Sequence, residues 1–406
     1  NGSDVFFTAG GDLYVRLSGE RTVQVDQARG GSGPGGSGSF AAVTADGSQV
    51  FFTDAATAGL TSDTVAGSGE NLYRYDVETG QLSDLTPLSD AKAGLAGISE
   101  DGSYLYFSAE AALSGSQTNQ FGETAQDGKS NLYLDHDATI TFIAHEGVGV
   151  GQISPNGAYF VFNSNKSLTG YDNDGAHGDV PEIYLYSAAS NEISCASCNP
   201  SGEPPTLAGE VIRGNGGVRG GGALLGGVPH YVSNDGQVFF QTGEALLPSD
   251  TNGQNDIYEY EDGGLHLIST GTSSTESVLL DSSENGDDVF FLTRQKLLPQ
   301  DTNEEALSIY DARVDGGFPE TAVPPPCTTA DACRSAPAPQ PAIFGEPTSQ
   351  TFAGMGNLTP AAEVKVKAKA KSAKCRKGFV RRKGRCVKKS RRKARKSAHA
   401  NKRTGK

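Results

Sequence analysis

The chain has 406 residues, 20% of them charged, with a formal net charge of −14, six cysteines and no tryptophan. That balance hides two opposite polymers: residues 1–363 hold 48 Asp and Glu against 13 Lys and Arg, a net of −35, while residues 364–406 hold 21 Lys and Arg and no acid. No run approaches the roughly 18 apolar residues of a membrane-spanning helix, and no GxSxG elbow, HExxH helix, Walker loop or Rossmann fingerprint occurs.

From the N-terminus onward, an Asp/Asn-Gly pair followed by an aromatic-rich segment recurs at Asn1-Gly2, Asp46-Gly47, Asp101-Gly102, Asn156-Gly157, Asp235-Gly236 and Asn285-Gly286. The intervals of 45 to 79 residues lie near or above the period of roughly 40 to 50 typical of propeller blades. Each unit also carries an acidic or amide residue, an aliphatic residue and then Tyr: Asp12–Tyr14, Asn71–Tyr73, Asn131–Tyr133, Glu182–Tyr184, Asp256–Tyr258 and, loosely, Ser308–Tyr310. In the second unit, Ser39–Thr44, Gln49–Thr53, Asn71–Asp76 and Gln81–Thr86 read as four short strands of one antiparallel meander, with Asp46-Gly47 and Glu78-Thr79-Gly80 as turns. One such sheet cannot bury both faces, whereas radial stacking buries the Phe and Tyr rows between neighbours. A two-sheet sandwich would give hairpins without the longer period. The predicted fold is therefore all-β: a β-propeller of about six four-stranded blades over residues 1–316, with blades starting near residues 1, 40, 94, 148, 230 and 277. The first unit lacks an innermost strand and the last a convincing fourth, the pattern expected of a fragment of a longer protein.

The stretches ISPNGAYFVFNSN (Ile153–Asn165), DGSQVFFTD and NLYRYDVETGQLSDLT resemble the TolB-type, WD-repeat-like β-propellers of bacterial envelope and secreted proteins. The resemblance covers about residues 1–316 and implies tandem blades, a central channel and binding of proteins or envelope components; it carries no catalytic residues with it. The family's usual SPDG stands here as SPNG at Ser154–Gly157.

Residues 317–363, with PPP and APAPQP, read as a Pro-rich linker without regular structure. The tail 364–406 includes Lys388, Lys389, Arg391, Arg392, Lys393, Arg395 and Lys396, a run expected to lack a core and to bind polyanions. Anionic envelope polymers suit it better than nucleic acid, because the tail offers only Phe379 for stacking on bases. The cysteines fall into three local pairs, Cys195/Cys198, Cys327/Cys333 and Cys375/Cys386, expected as disulfides of an extracellular or cell-envelope protein. A zinc half-site or redox dithiol at Cys195/Cys198 is the competing account, but the next cysteine lies 129 residues on and CASC precedes Asn199-Pro200 in an all-β context.

Asp250, Asn252 and Asp256 form the main metal candidate, since alternating carboxylate and amide oxygens can converge on Ca²⁺ where a glycine lets the loop turn. Asp172–Gly175 with Asp179, and Asp301–Asn303, are weaker copies, and ordinary Asx turns are the simpler account of all three. No cofactor other than such a calcium ion is expected. The histidines are scattered; His136, between Asp135 and Asp137, is the least ordinary. Glycine-rich Arg29–Ser39 and Arg213–Gly227 lack the GK[ST] end of a phosphate loop and read as flexible insertions. The expected function is a non-enzymatic scaffold that binds a protein or glycan and uses its tail on anionic polymers. The alternative is the propeller part of a hydrolase or lyase whose chemistry lies at the channel mouth or outside this chain.

Overall fold

The computed structural model describes residues 4–88, 91–146, 151–175, 178–208, 229–303, 306–317, 376–377, 379–382 and 385–388. The chain divides into two compact units, Asn1–Pro325 and Pro326–Lys406. In the first, antiparallel sheets follow one another along the sequence. Sheet 1 contains β1 (Val5–Ala9), β2 (Asp12–Leu17) and β3 (Arg21–Gln24). Sheet 2 is β4 (Ser39–Val43), β5 (Gln49–Ala55), β6 (Glu70–Asp76) and β7 (Leu82–Asp84). Sheet 3 is β8 (Gly94–Ile98), β9 (Tyr104–Ala109), β10 (Asn131–His136) and β11 (Thr139–Ala144). In sheet 4, β12 (Gly151–Ile153) and β13 (Tyr159–Ser164) precede a loop holding the small pair β14 (Asp174–Gly175) and β15 (Gly178–Asp179), and β16 (Glu182–Ser187) and β17 (Glu192–Cys195) complete it. Sheet 5 has β18 (Val238–Thr242), β19 (Asp256–Glu261) and β20 (Gly264–Leu267); sheet 6 has β21 (Ser277–Ser282), β22 (Asp288–Thr293) and β23 (Ser308–Arg313).

Period-two alternation along each strand sends neighbouring aromatics to opposite interfaces. Phe52 packs with Leu13 and Val15 between sheets 1 and 2, whereas Phe51 packs with Leu105 and Phe107 between sheets 2 and 3. Tyr106 meets Phe160 and Tyr186 between sheets 3 and 4, and Val161 and Ile183 continue the core into sheets 5 and 6. Each of these fully buried aromatics contributes about 1.5–3 kcal/mol. Val5 and Phe7 on β1 and Phe290 and Ile309 on β22 and β23, in the two end sheets, depart from this pattern and remain exposed, as does Phe40 on β4.

Successive inner hairpins are joined by hydrogen bonds. The amide of Ala45 donates to Glu100 O (2.8 Å), Glu100 to Pro155 O (3.2 Å) and Asn234 to Glu284 O (2.7 Å). Asn156 bridges to Asn234 through both its backbone amide and its side chain. These links run from sheet 2 to sheet 6 and hold the sheets as successive propeller blades. The Asp/Asn-Gly glycine is needed twice over, since it has positive φ and also touches the preceding blade. A Cβ on Gly102 would lie 2.7 Å from Thr44, and one on Gly157 2.6 Å from Tyr104 Cβ and 2.7 Å from Ser99 Cβ.

Three expectations differ from the structure. The fifth blade has three regular strands, with its inner segment reduced to a single bridge, Val232 to Val238. Pro229 has no N–H, the amide of His230 donates to Asp281 Oδ1, and that of Tyr231 donates to Gln152 Oε1, so the segment bonds to its neighbours in place of a ladder. The glycine-rich stretch from Arg29 is a packed loop. Arg29, Gly33 and Gly35 donate to the carbonyls of Leu60, Gly59 and Ala58, and a Cβ at Gly31 or Gly33 would collide with that backbone. Within the basic tail, β24 (Phe379–Arg382) pairs with β25 (Arg385–Lys388), aligning Val380 with Val387. This β-prone alternation favours a hairpin where none was expected. The predicted linker, apart from residue 317, and Arg213–Gly227 lie outside the described residues.

Gly157→Ala is expected to destabilise by about 2–5 kcal/mol, combining the left-handed backbone cost with overpacking. Gly122→Ala, at φ +76° with open space around it, should cost only about 1–2 kcal/mol. Denaturant titration of the two variants separates contact from conformation.

Candidate functional site

Two side-chain devices, each found in four of the blades, recur where the strand of the aliphatic-Tyr motif begins, and they explain that motif. The tyrosine hydroxyl fastens the loop that precedes it. Tyr133, Tyr184, Tyr258 and Tyr310 accept the amides of Leu113, Leu168, Leu246 and Leu297 at 3.1–3.3 Å. In turn Tyr133 and Tyr184 donate to carbonyls, Tyr258 to Asp250 Oδ2 at 2.5 Å, and Tyr310 to Asp301. Burial pushes the phenols of Tyr133 and Tyr184 up to about 12, which keeps them as donors. The second device caps the strand: the amides of Leu13, Leu72, Ile183 and Ile257 donate to Asp26, Thr86, Ser197 and Ser269 at 2.8–2.9 Å. At the equivalent register position lie Asn71, Asn131, Glu182 and Asp256, each at most 1% exposed.

That position becomes electrostatically demanding when it carries a carboxylate. Asp256 Oδ1 accepts Ser269 Oγ (2.5 Å) and the amide of Gly271 (3.3 Å), while its Oδ2 is buried without a partner. Asp250 Oδ1 is likewise buried and unpartnered. Burial raises the Asp250 pKa, and the nearby charge of Asp256 raises it further, against the Tyr258 hydrogen bond. Two such oxygens fit a hard cation. Asn252 fits less directly, because its Oδ1 accepts the Gln254 amide in an Asx turn, leaving Nδ2 buried without a partner. The loops at Asp172 and Asp301 also form Asx turns, onto the amides of Asp174 and Asn303.

Cys195 and Cys198 are joined as a disulfide with a Cα separation of 5.6 Å. Glu182 lies against them across β16 and β17, a neighbour that spacing along the sequence could not show. Burial pushes its carboxyl up to about 7, against the hydrogen bond from Ser197. Cys327, Cys333 and Cys375 lie outside the described residues; Cys386 stands on β25, opposite Arg381. Of the seven tail cations singled out from the sequence, Lys388 is described, as the exposed end of β25, and the other six lie outside the described residues.

A cleft of about 260 Å³ opens between sheets 2 and 3 at the hairpin end, lined by Gln49, Arg74, Asp101, Asp135 and Asp137 among others. Burial raises the Asp135 carboxyl, and the charges of Arg74 and His136 act against that. The lining can hold a cationic group at the aspartates and an anionic one at Arg74. His136 stacks on Tyr104 with ring centroids 3.7 Å apart, donates from Nδ1 to Ser103 O, and has Nε2 3.5 Å from Asp137. It is tied into the hairpin. On the inner segments, His230 Nδ1 lies 3.1 Å from Asp281 Oδ1.

No protein family matches the chain, and no curated protein matches it in sequence. Among solved structures it is similar to TolB from Acinetobacter baumannii, at 15% identity over 74% of this chain and 57% of that one, with a TM-score of 0.30. It is also similar to Porphyromonas gingivalis dipeptidyl peptidase 4, at 13% identity over 72% and 40% with a TM-score of 0.40. A third is the β-propeller domain of the Trilobed protease from Pyrococcus furiosus, at 11% identity over 77% and 79% with a TM-score of 0.34. The chain spans less than two thirds of the length of the first two.

A pH dependence follows from Asp54 and Glu182. Burial pushes both carboxyls up to about 7 from ordinary values of 3.8 and 4.5. Between those limits the folded protein holds protons that the unfolded chain has released, so their contribution is greatest below about pH 4 and lost as pH rises through about 7. Asp54→Asn and Glu182→Gln should each flatten the fall in stability between about pH 4 and 8, read from denaturation midpoints.

Proposed function

We infer that the chain is a non-enzymatic binding scaffold, secreted or held at the cell envelope, whose propeller takes a protein or glycan and whose basic tail takes anionic polymers. One observation carries this function: where the exposed apolar loop residues gather. In an antiparallel meander, the loop after the second strand and the connection to the next sheet emerge at one end, and the two hairpins at the other. Val65, Phe121, Leu298 and Leu307 sit in loops of the first kind and Leu88 and Leu207 in connections of the second, all 37–51% exposed. Among the described residues, Val314, after β23, is the large apolar loop residue exposed at the hairpin end. Apolar side chains exposed on loops at one end of the sheets favour an interaction face, and a protein is the partner they suit best. The Cys195–Cys198 disulfide supports an oxidising compartment.

The chain of residues 1–406 and a form ending at residue 363 are compared for co-sedimentation with isolated envelope material and for binding to an anionic polymer. Loss of the tail should abolish a steeply salt-dependent binding while leaving propeller melting unchanged. Phe121→Ser with Leu307→Ser should remove protein capture and leave polymer binding intact. Capture that survives the double substitution would move the partner away from this loop end. Turnover of peptide or ester substrates by the purified chain would favour the hydrolase alternative.

A calcium ion at the Asp250 loop belongs to the same proposal, supported by the unpartnered Asp250 Oδ1 and Asp256 Oδ2. Calcium at about a hundred times its Kd would add about 2.7 kcal/mol of stability. Chelator should lower Tm, and Asp250→Asn should erase that difference. Equal melting with and without chelator would leave only the turn hydrogen bonds.

A further inference from the structure

We propose that Glu182, Cys195 and Cys198 bind a zinc-type divalent cation when the two cysteines are thiols, and that the disulfide is the closed form of this site. It stands independently of the scaffold function. One ligand atom from each residue lies within 4.8 Å of the other two. A tetrahedral site with Zn–S bonds of about 2.3 Å places its sulfurs about 3.8 Å apart. With the Cα atoms 5.6 Å apart, side-chain rotation can open the sulfurs to that spacing.

The buried carboxylate is the second, independent observation. Glu182 is 1% exposed, and its Oε1 has no partner. Its Oε2 accepts the hydroxyl of Ser197, which also accepts the amide of Ile183. Ser197 sits between the two cysteines in sequence, so the CASC turn and the start of β16 are tied together at the point where the ligands meet. Such an outer hydrogen bond is what orients a ligating carboxylate. At the same place, other blades carry Asn71, Asn131 or Asp256, with no cysteine in the strand-end turn. Three protein ligands leave a fourth position for water, the arrangement of an open zinc site.

The chemistry balances with a phosphine as reductant. The phosphine attacks one sulfur and breaks the S–S bond; water then supplies oxygen to give the phosphine oxide, and both sulfurs leave as thiols. Cation binding displaces the two thiol protons to solvent.

The test uses the full chain with Cys327, Cys333, Cys375 and Cys386 changed to Ser, so that thiolate signals come from Cys195 and Cys198 alone. Reduced by phosphine without oxygen, it is titrated with Co²⁺ and followed by thiolate-to-cobalt charge-transfer absorption and circular dichroism. One equivalent of Co²⁺ should bind to the reduced form with such a band and none to the oxidised form, and excess Zn²⁺ should bleach it. Glu182→Gln should weaken Co²⁺ at least tenfold while still forming the disulfide, whereas Glu182→Asp should bind more tightly than Glu182→Gln. The proposal is overturned if the reduced protein takes up no stoichiometric Co²⁺, if Glu182→Gln binds unchanged, or if reduction by itself unfolds the β-sheets.

Discussion

The distance of closest approach between successive inner hairpins sets the geometry of the blade array. At Gly157 the backbone has φ +80° and a side chain would meet Tyr104 and Ser99 within 2.7 Å. With the glycine in place, Glu100 and Pro155 come close enough to share a hydrogen bond, and Tyr106 donates its hydroxyl to Gly157 O. The aromatic layer between sheets 3 and 4 therefore forms at a spacing the hairpins impose. Hydrophobic burial supplies most of the stabilisation, but it is non-directional; the glycine contact decides where each sheet sits on the last.

The start of each third strand then decides what a blade can do besides pack. The framework there recurs: in four blades a hydroxyl or carboxylate caps the amide that opens the strand, in four a tyrosine fastens the loop, and the blades of Tyr184 and Tyr258 have both. The adjacent buried side chain varies. Asn71 donates its amide to Asp84 and leaves only a neutral carbonyl oxygen, Oδ1, buried without a partner, and Asn131 spreads its amide over backbone carbonyls. Glu182 and Asp256 each keep an oxygen without a partner. Burying such a group is costly unless a proton or cation compensates, so a single substitution at one register position turns a structural joint into a candidate binding site.

Much of this was legible in the sequence because it is local and periodic. The Asp/Asn-Gly pairs marked the hairpins, and the paired aromatics of Phe51-Phe52 and Tyr106-Phe107 marked strands with two buried faces. The partners of the motif tyrosines were not legible, since the hydroxyl of Tyr258 reaches Asp250 only once the intervening loop has closed. Nor was Glu182 beside the CASC turn, because the contact crosses two paired strands; the same acidic-aliphatic-Tyr signature reads identically whether or not cysteines stand opposite. The short inner segment of sheet 5 was obscured for a similar reason: Gln152, some eighty residues upstream, takes up the Tyr231 amide that a ladder would need.

The outward faces of sheets 1 and 6 have a colloidal consequence. Val5 and Phe7 on sheet 1 and Phe290 and Ile309 on sheet 6 are the apolar rows that elsewhere meet a neighbouring blade, so both faces leave apolar side chains in contact with water. What opposes stacking is the acidity of residues 1–363, whose net charge of −35 makes two arrays repel before their faces can touch. Salt or acid that weakens this repulsion lets such exposed apolar rows approach one another.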